Sequence, residues 1–125
     1  MILLLDAHAL VWWLADDETL KGGARAAIRD PGNDVLVSAA TVWELAIKRA
    51  KGRISLDADL SSAIEAAGFV NLPVTSHDAE LAGSLPAHHQ DPFDRTLVAQ
   101  ARRLGATVVS RDTALDAYGV VRLEA

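Results

Sequence analysis

Short apolar runs alternate with longer segments that carry apolar residues at helical spacing along most of this chain. The first run, Ile2–Leu5, is continuously apolar and stops at Asp6, as expected of a strand buried on both faces. Further apolar runs predict three more strands and a short fifth, at 35–37, 69–72, 107–109 and 120–123. The pattern therefore predicts four to five strands distributed over the whole chain.

The segments between these runs predict six helices. The clearest spans 91–104, because Asp91 suits the N-cap, Pro92 the first helical position and Gly105 the residue after the helix. Ser38 can cap a helix that runs to about Lys51. The remaining helices are expected at 8–15, at 21–30, from Asp57 or Asp59 to 67, and at 75–85.

Strands that alternate with helices are typical of an α/β fold. We expect one domain over residues 1–125, with a mostly parallel central sheet of four to five strands and helices on both faces. In such sheets, ligands bind outside the carboxyl ends of the strands. That edge of the sheet is therefore where functional residues are expected.

Four acidic residues are predicted to lie at that edge. Asp6 follows the first strand, and Glu44 lies early in the helix after the second. Asp94 is in the first turn of the 91–104 helix, and Asp112 comes three residues after Val109, where the fourth strand is expected to end. Because strand ends and helix starts share one edge of a parallel sheet, all four can converge.

Convergence of carboxylates favours a bound cation. Two carboxylates ~4 Å apart repel by about 4 kcal/mol at an effective dielectric near 20. Such a cluster either binds protons or recruits a cation. Oxygen ligands in a chain without cysteine favour Mg²⁺ or Mn²⁺ over zinc. A carboxylate-held Mg²⁺ can activate water for phosphodiester hydrolysis.

Each acid also has a purely structural interpretation. Asp94 could only favour the helix dipole, Asp6 and Asp112 could each cap the element that follows, and Glu44 could face solvent. Asp91 is acidic too, but its place before Pro92 makes it a cap first.

Charge and the apolar N-terminus limit the functions that fit. A net charge of −5 argues against binding nucleic acid through overall charge. Basic residues cluster at 48–53, which could be a local basic rim or only a solvated helix face. The first residues lack both the basic leader of a signal peptide and the length of a membrane span, so a cytoplasmic protein is expected.

Several other conspicuous residues favour ordinary roles. His88 and His89 are neighbours whose side chains should diverge, which predicts a polar loop rather than a metal site. Arg95 could contact phosphate or form a surface ion pair. The three tryptophans are expected in the core or a dimer interface rather than against nucleobases: Trp12, Trp13 and Trp43.

Four stretches resemble the PIN-domain family, and specifically its VapC-like toxins of bacterial toxin–antitoxin pairs. They are LLLDAHALVWWL, SAATVWELAIK, LPAHHQDPFDRTLVAQA and VVSRD, in the order found in the family. The resemblance implies a metal-dependent endoribonuclease with Asp6, Glu44, Asp94 and Asp112 as metal ligands. It also implies a small antitoxin and a second copy of the chain as partners. Many relatives have Thr where this chain has Ser110, which keeps the hydroxyl.

Two alternatives remain open at this point. The chain could be a PIN fold retained for binding and inactive on RNA. It could also be a receiver-like signalling domain with Mg²⁺ at an acidic edge. Receivers have an acidic pair after the first strand and a Lys after the last, whereas Asp6 stands alone and the late strand leads to Ser110, Arg111 and Asp112.

Overall fold

A five-stranded parallel sheet forms the centre of the protein. The computed structural model describes residues 1–56 and 59–125. The strands lie in the order β3-β2-β1-β4-β5, and every neighbouring pair is parallel. The predicted α/β fold is thus confirmed, with a sheet that is wholly rather than mostly parallel. The strands are β1 (Ile2–Leu5), β2 (Asp34–Ser38), β3 (Val70–Leu72), β4 (Thr107–Val109) and β5 (Arg122–Leu123).

The six predicted helices are present, and most bounds agree within one or two residues. They are α1 (Ala7–Leu14), α2 (Gly22–Arg29), α3 (Ala39–Ala50), α4 (Leu60–Ala66), α5 (Ser76–Ser84) and α6 (Pro92–Leu104). Asp59 is the N-cap of α4, while the alternative start at Asp57 lies outside the described residues. Within the described ranges, no helix is long and apolar enough to cross a membrane.

Two features near the C-terminus differ from the prediction. A 3₁₀ helix over Thr113–Tyr118 was not expected; it begins at Asp112, whose side chain accepts a hydrogen bond from the N–H of Ala114. The last strand contains two residues rather than four, since residues 120 and 121 precede it. A strand at the edge of the sheet has only one neighbour, so its length is weakly specified by sequence pattern.

The central strand β1 is buried on both faces. Leu3 and Leu5 belong to the apolar core beneath α1, α2 and α4, whereas Leu4 points to a second core formed with α6 and the 3₁₀ helix. All three leucines have no exposed surface. Truncation of such a leucine to alanine typically costs about 2–5 kcal/mol. The strand that leads into Asp6 is therefore held firmly from both sides.

The cap residues explain where α3 begins and where α6 begins and ends. The side chain of Asp91 accepts the N–H of Phe93 at 2.8 Å, and Pro92 occupies the first turn of α6. Gly105 ends that helix with φ 64°, a left-handed conformation that glycine adopts without strain. The hydroxyl of Ser38 accepts the N–H of Ala40 at 3.1 Å. The predicted caps are confirmed.

Candidate metal centre

The four predicted acids lie along the carboxyl-terminal edge of the sheet. Asp6 follows β1 directly and is 7% exposed; its Oδ1 accepts the N–H of Ala9 at 2.8 Å and so caps α1. Glu44 lies in the second turn of α3 and forms an ion pair with Lys48 at 2.9 Å. Asp6 therefore caps a helix and also faces the centre of this edge, so its two interpretations are compatible.

Asp94 carries the clearest electrostatic signal of the four. Burial raises the pKa of its carboxyl, the charges of Asp91, Glu44 and Asp6 raise it further, and His89 lowers it, for a resulting pKa of about 7. A carboxyl with this pKa is partly protonated at neutral pH. Asp94 therefore lies in a region with more negative charge than its protein neighbours neutralise.

Asp6 responds to the same surroundings. Burial raises the pKa of its carboxyl, hydrogen bonds with Ser110 and Ala9 lower it, and the charge of Glu44 raises it, with the net shift upward. Glu44 thus acts on both Asp6 and Asp94. These three carboxylates are near enough to influence one another's charge, and of the three only Asp94 belongs, with His89 and Asp112, to the group of described residues whose ligand atoms lie within 4.8 Å of one another.

Asp112 joins these acids through a histidine. Its Oδ2 lies 2.7 Å from Nε2 of His89, and the same nitrogen lies 3.1 Å from Oδ2 of Asp94. Burial raises the pKa of Asp112, but hydrogen bonds from His89 and from the N–H of Ala114 outweigh this, and the pKa lies below its ordinary value. His89 therefore bridges two of the predicted site residues.

The position of His89 contradicts the prediction of an ordinary polar loop. Adjacent side chains do diverge here, because the ring of His88 packs edge-on against Tyr118 at 5.1 Å while that of His89 turns to the acids. Divergence removes only one of the two histidines from the site. The signal in the sequence was the closeness of His89 to the cap at Asp91, whose N–H donates to Nδ1 of His89 at 3.0 Å.

Arg95 does not form the predicted surface ion pair with any described residue. Its guanidinium donates hydrogen bonds to backbone carbonyls of the segment that precedes α6, rather than to a carboxylate. The accepting carbonyls are those of Ala82 (3.1 Å), Gly83 (3.4 Å), Leu85 (2.7 Å), Pro86 (3.1 Å) and His89 (3.1 Å). Arg95 thereby fixes the loop that carries His89. No sequence pattern indicates a hydrogen bond from a side chain to a distant backbone carbonyl, so the prediction missed these contacts of Arg95.

The tryptophans divide between packed and exposed positions. Trp13 is near Phe69 at 6.0 Å between ring centroids, and Trp12 stacks on His8 at 5.5 Å. Trp43 is 64% exposed and makes an edge-to-face contact with Phe93, with 5.1 Å between the ring centroids. Trp43 is therefore not a core residue of this chain, while the expectation of a dimer interface stays a prediction.

The donor set of this edge fits a hard divalent cation. Carboxylate oxygens dominate it, and hard cations such as Mg²⁺ and Mn²⁺ prefer oxygen ligands. The upward pKa shifts of Asp94 and Asp6 identify negative charge that a cation would neutralise. The residues present are therefore chemically suited to a divalent metal ion.

Comparison with known proteins identifies the fold and its family. The family model described as PIN domain matches residues 3–121. The chain belongs to the PIN domain family. The match includes all four acids, and the strand order places them at the edge where this α/β fold binds ligands.

Individual relatives are of the VapC type, so the chain is a VapC-like PIN domain. Ribonuclease VapC22 of Mycobacterium tuberculosis is 30% identical over 119 residues, covering 93% of this chain and 91% of the relative. VapBC2 of Rickettsia felis, solved with a DNA fragment from its promoter, has a TM-score of 0.69 at 13% identity, with 98% of each chain covered. Mycobacterium tuberculosis VapC20, a sarcin-ricin loop cleaving toxin, has a TM-score of 0.62 at 18% identity, covering 95% and 96%. At these identities, the two structures support the fold alone.

Proposed function

We propose that this PIN domain is a metal-dependent endoribonuclease and the toxin of a toxin–antitoxin pair, acting in the cytoplasm. Asp6, Glu44, Asp94 and Asp112 would hold Mg²⁺, or Mn²⁺ in its place. The observation that carries the proposal is the acidic centre, meaning these four residues at the carboxyl-terminal edge of the sheet, where Asp94 has a pKa of about 7. Membership of the PIN domain family and similarity to a ribonuclease support the reaction class.

The protein side chains would provide position and charge. A bound divalent ion would supply Lewis acidity and activation of water for attack on a phosphodiester. Asp6 is fixed for binding by the N–H of Ala9 and by Ser110. Glu44 is oriented by Lys48, one turn further along α3. Because these oxygens are held before any ligand arrives, little reorganisation is needed on binding.

An RNA substrate requires neutralisation of this acidic edge. Phosphates would be repelled by the acidic centre and by the net charge of −5 unless a cation intervened. A basic group lies close to the same edge: the guanidinium of Arg111, 4.4 Å from the centroid of the Trp12 ring. Arg111 directly precedes Asp112, so it is suitably placed to contact a phosphate next to the reacting one.

An antitoxin segment would bind the groove beside the N-terminal helix. A groove of about 370 Å³ is lined by apolar side chains of α1, α4 and the residues before α4, including Val11, Leu14, Leu56 and Leu60. Apolar grooves of this kind accept the apolar face of a peptide helix. Introducing charge with Leu14→Glu should therefore weaken copurification with the cognate antitoxin, while leaving the acidic centre in place.

A second copy of the chain would cover Trp43. This residue and Val74 expose 64% and 37% of their surface around an apolar cavity of about 340 Å³, which is also lined by Phe93. Exposed apolar patches of this kind mark interaction sites. Sedimentation should therefore show that Trp43→Glu shifts a dimer towards monomer. Val121→Glu is the control and should not shift it, because Val121 is also exposed but directly precedes the edge strand β5.

The reaction itself is tested by RNA cleavage with Mg²⁺, with Mn²⁺ and with EDTA. We expect wild type to cleave with either ion, and Asp94→Asn to be inactive. Asp30→Asn is the matched control, because this exposed Asp lies between α2 and β2, at the opposite edge of the sheet, where its Oδ1 accepts the N–H of Gly32. Tight binding of RNA without cleavage under any metal condition would favour the binding-module alternative and contradict the proposal.

A further inference from the structure

The imidazole of His89 lies where two of the site carboxylates approach each other. Its Nε2 is 2.7 Å from Oδ2 of Asp112 and 3.1 Å from Oδ2 of Asp94. One ligand atom from each of these three residues falls within 4.8 Å of the other two, which on distance alone resembles a metal site with a histidine ligand. The second nitrogen of the ring distinguishes a ligand from a hydrogen-bond donor.

Nδ1 of His89 accepts the backbone N–H of Asp91 at 3.0 Å. A backbone N–H can only donate, so Nδ1 presents its lone pair and the ring hydrogen is on Nε2. Nε2 then donates to the carboxylates and has no lone pair for a metal. Moving the hydrogen to Nδ1 would place two donors 3.0 Å apart, so the loop geometry holds His89 as a donor.

The backbone of His89 is anchored from two further directions. Its N–H donates to Oη of Tyr118 at 2.9 Å, and its carbonyl accepts from Nη1 of Arg95 at 3.1 Å. Tyr118 in turn donates to the carbonyl of Pro86 at 2.7 Å. These contacts fix the loop on both sides of His89, so the direction of its ring towards the acids is determined by the fold.

We propose that the Nε2–H of His89 competes with the metal ion for the Oδ2 atoms of Asp94 and Asp112. Oδ1 of Asp112 accepts the N–H of Ala114 at 3.0 Å, while Nε2–H of His89 lies against Oδ2 of the same carboxylate. A cation bound at Oδ2 of Asp112 or of Asp94 therefore competes with the Nε2–H of His89 for that oxygen. The inference rests on the proposed function in one respect, namely that this centre binds a divalent ion.

Calorimetric titration of Mn²⁺ and Mg²⁺ into four proteins tests the competition. They are wild type, His89→Ala, His89→Gln and the neighbouring control His88→Ala. His89→Ala should bind both ions about two- to tenfold more tightly, the factor expected when one net hydrogen bond no longer competes. His89→Gln, which retains an N–H donor of similar reach, should stay near wild type. His88→Ala should match wild type, because its ring contacts Tyr118 instead of the acids.

Imidazole ¹⁵N spectra of wild type give a second readout that needs no variant. In EDTA the His89 ring should show its hydrogen on Nε2, and Mg²⁺ should shift the His89 signals while those of His88 stay in place. Unchanged or weaker binding in His89→Ala, or Mg²⁺ binding with unaltered His89 signals, would overturn this inference alone. Absence of metal binding in wild type and His89→Ala alike would overturn the proposed function with it.

Discussion

Asp78 and Asp94 occupy the same local position in two helices that pack against each other. Each is the third residue of its helix, Asp78 in α5 and Asp94 in α6. Hydrogen bonds from Arg103, and then from Thr75 and Gln100, offset burial and lower the pKa of Asp78 to about 2. Burial and acidic neighbours raise that of Asp94 to about 7. Identical residues at identical helical positions therefore differ in pKa because of their partners, which include the local N-cap residue, Thr75 or Asp91, and side chains of other elements.

The two aspartates illustrate the difference between a structural and a functional carboxylate. Asp78 has no exposed side-chain surface, and its two oxygens meet Nε of Arg103 at 2.6 Å and Nη2 at 3.0 Å. Arg103 neutralises the charge of Asp78 and occupies both of its oxygens, so Asp78 is not available to bind a ligand. The acidic neighbours of Asp94 leave its charge incompletely balanced, and that deficit favours a cation. Asp78 thus contributes to stability, whereas Asp94 is suited to binding.

The largest expected contrast concerns RNA cleavage. Asp94→Asn should reduce Mg²⁺-dependent cleavage by about 10³-fold or more, because a metal-binding carboxylate is lost. Asp78→Asn should retain activity per folded molecule. Single-turnover cleavage assays, normalised to the folded fraction from circular dichroism, compare the two. Equal losses in both variants would mean that the two aspartates do not have separate roles.

Asp78→Ala should show the largest loss of stability. The substitution leaves Arg103 without its bidentate partner and takes an acceptor from buried Gln100, whose Oε1 already has no partner among the described residues. Removal of one partner from a buried, hydrogen-bonded charge pair typically costs about 3–5 kcal/mol. Since Arg103 is itself partly exposed, the low end is expected, near 3 kcal/mol in urea unfolding. A change below about 1 kcal/mol would contradict this account of α5–α6 packing.

The two aspartates also predict opposite pH dependences in EDTA. The pKa of Asp78 is depressed from 3.8 to about 2, so its contribution is complete above pH 4 and is lost as pH falls towards 2, roughly 2 kcal/mol in all. The pKa of Asp94 is raised from 3.8, so its effect lowers stability as pH rises from about 4 to 7. In urea unfolding, the free energy of unfolding of Asp78→Asn should not show the loss that wild type shows as pH falls from 4 towards 2. That of Asp94→Asn should not show the decline as pH rises from about 4 to 7.

The smallest effect is expected at Asp91, the neighbouring acid in the same turn. Asp91→Ala removes an N-cap and should cost about 1 kcal/mol of stability. Metal-dependent cleavage should remain largely intact, because the carboxylate of Asp91 accepts the N–H groups of Phe93 and Asp94. If Asp91→Ala proves inactive while Asp94→Ala stays active, the assignment of Asp94 as the ligand is wrong.

The features that the sequence predicted correctly depend on local interactions or on general rules of α/β topology. The start and end of α6 could be inferred because Asp91, Pro92 and Gly105 act on their own backbone. The shared edge of the four acids could be inferred because strand order in α/β folds follows general rules. These inferences required no side-chain coordinates.

The features that escaped prediction depend on contacts between distant segments. Arg103 lies in the last turn of α6, where basic residues commonly complement the helix dipole, but its guanidinium reaches Asp78 in α5. His89 reaches Asp112 across 23 positions of sequence. No periodicity or cap signal reports such pairs, so only the folded structure identifies them.

Melting curves in EDTA and in Mg²⁺ for wild type, Asp94→Asn and Asp6→Asn test the central claim, that these carboxylates form a metal site. Without metal, each variant should be about 1–2 kcal/mol more stable than wild type, since like charge is removed without a change of shape and partial protonation has already relieved some repulsion. Mg²⁺ should raise the melting temperature of wild type clearly and those of the variants less. Lower melting temperatures for both variants in EDTA, with no response of any protein to Mg²⁺, would contradict the claim.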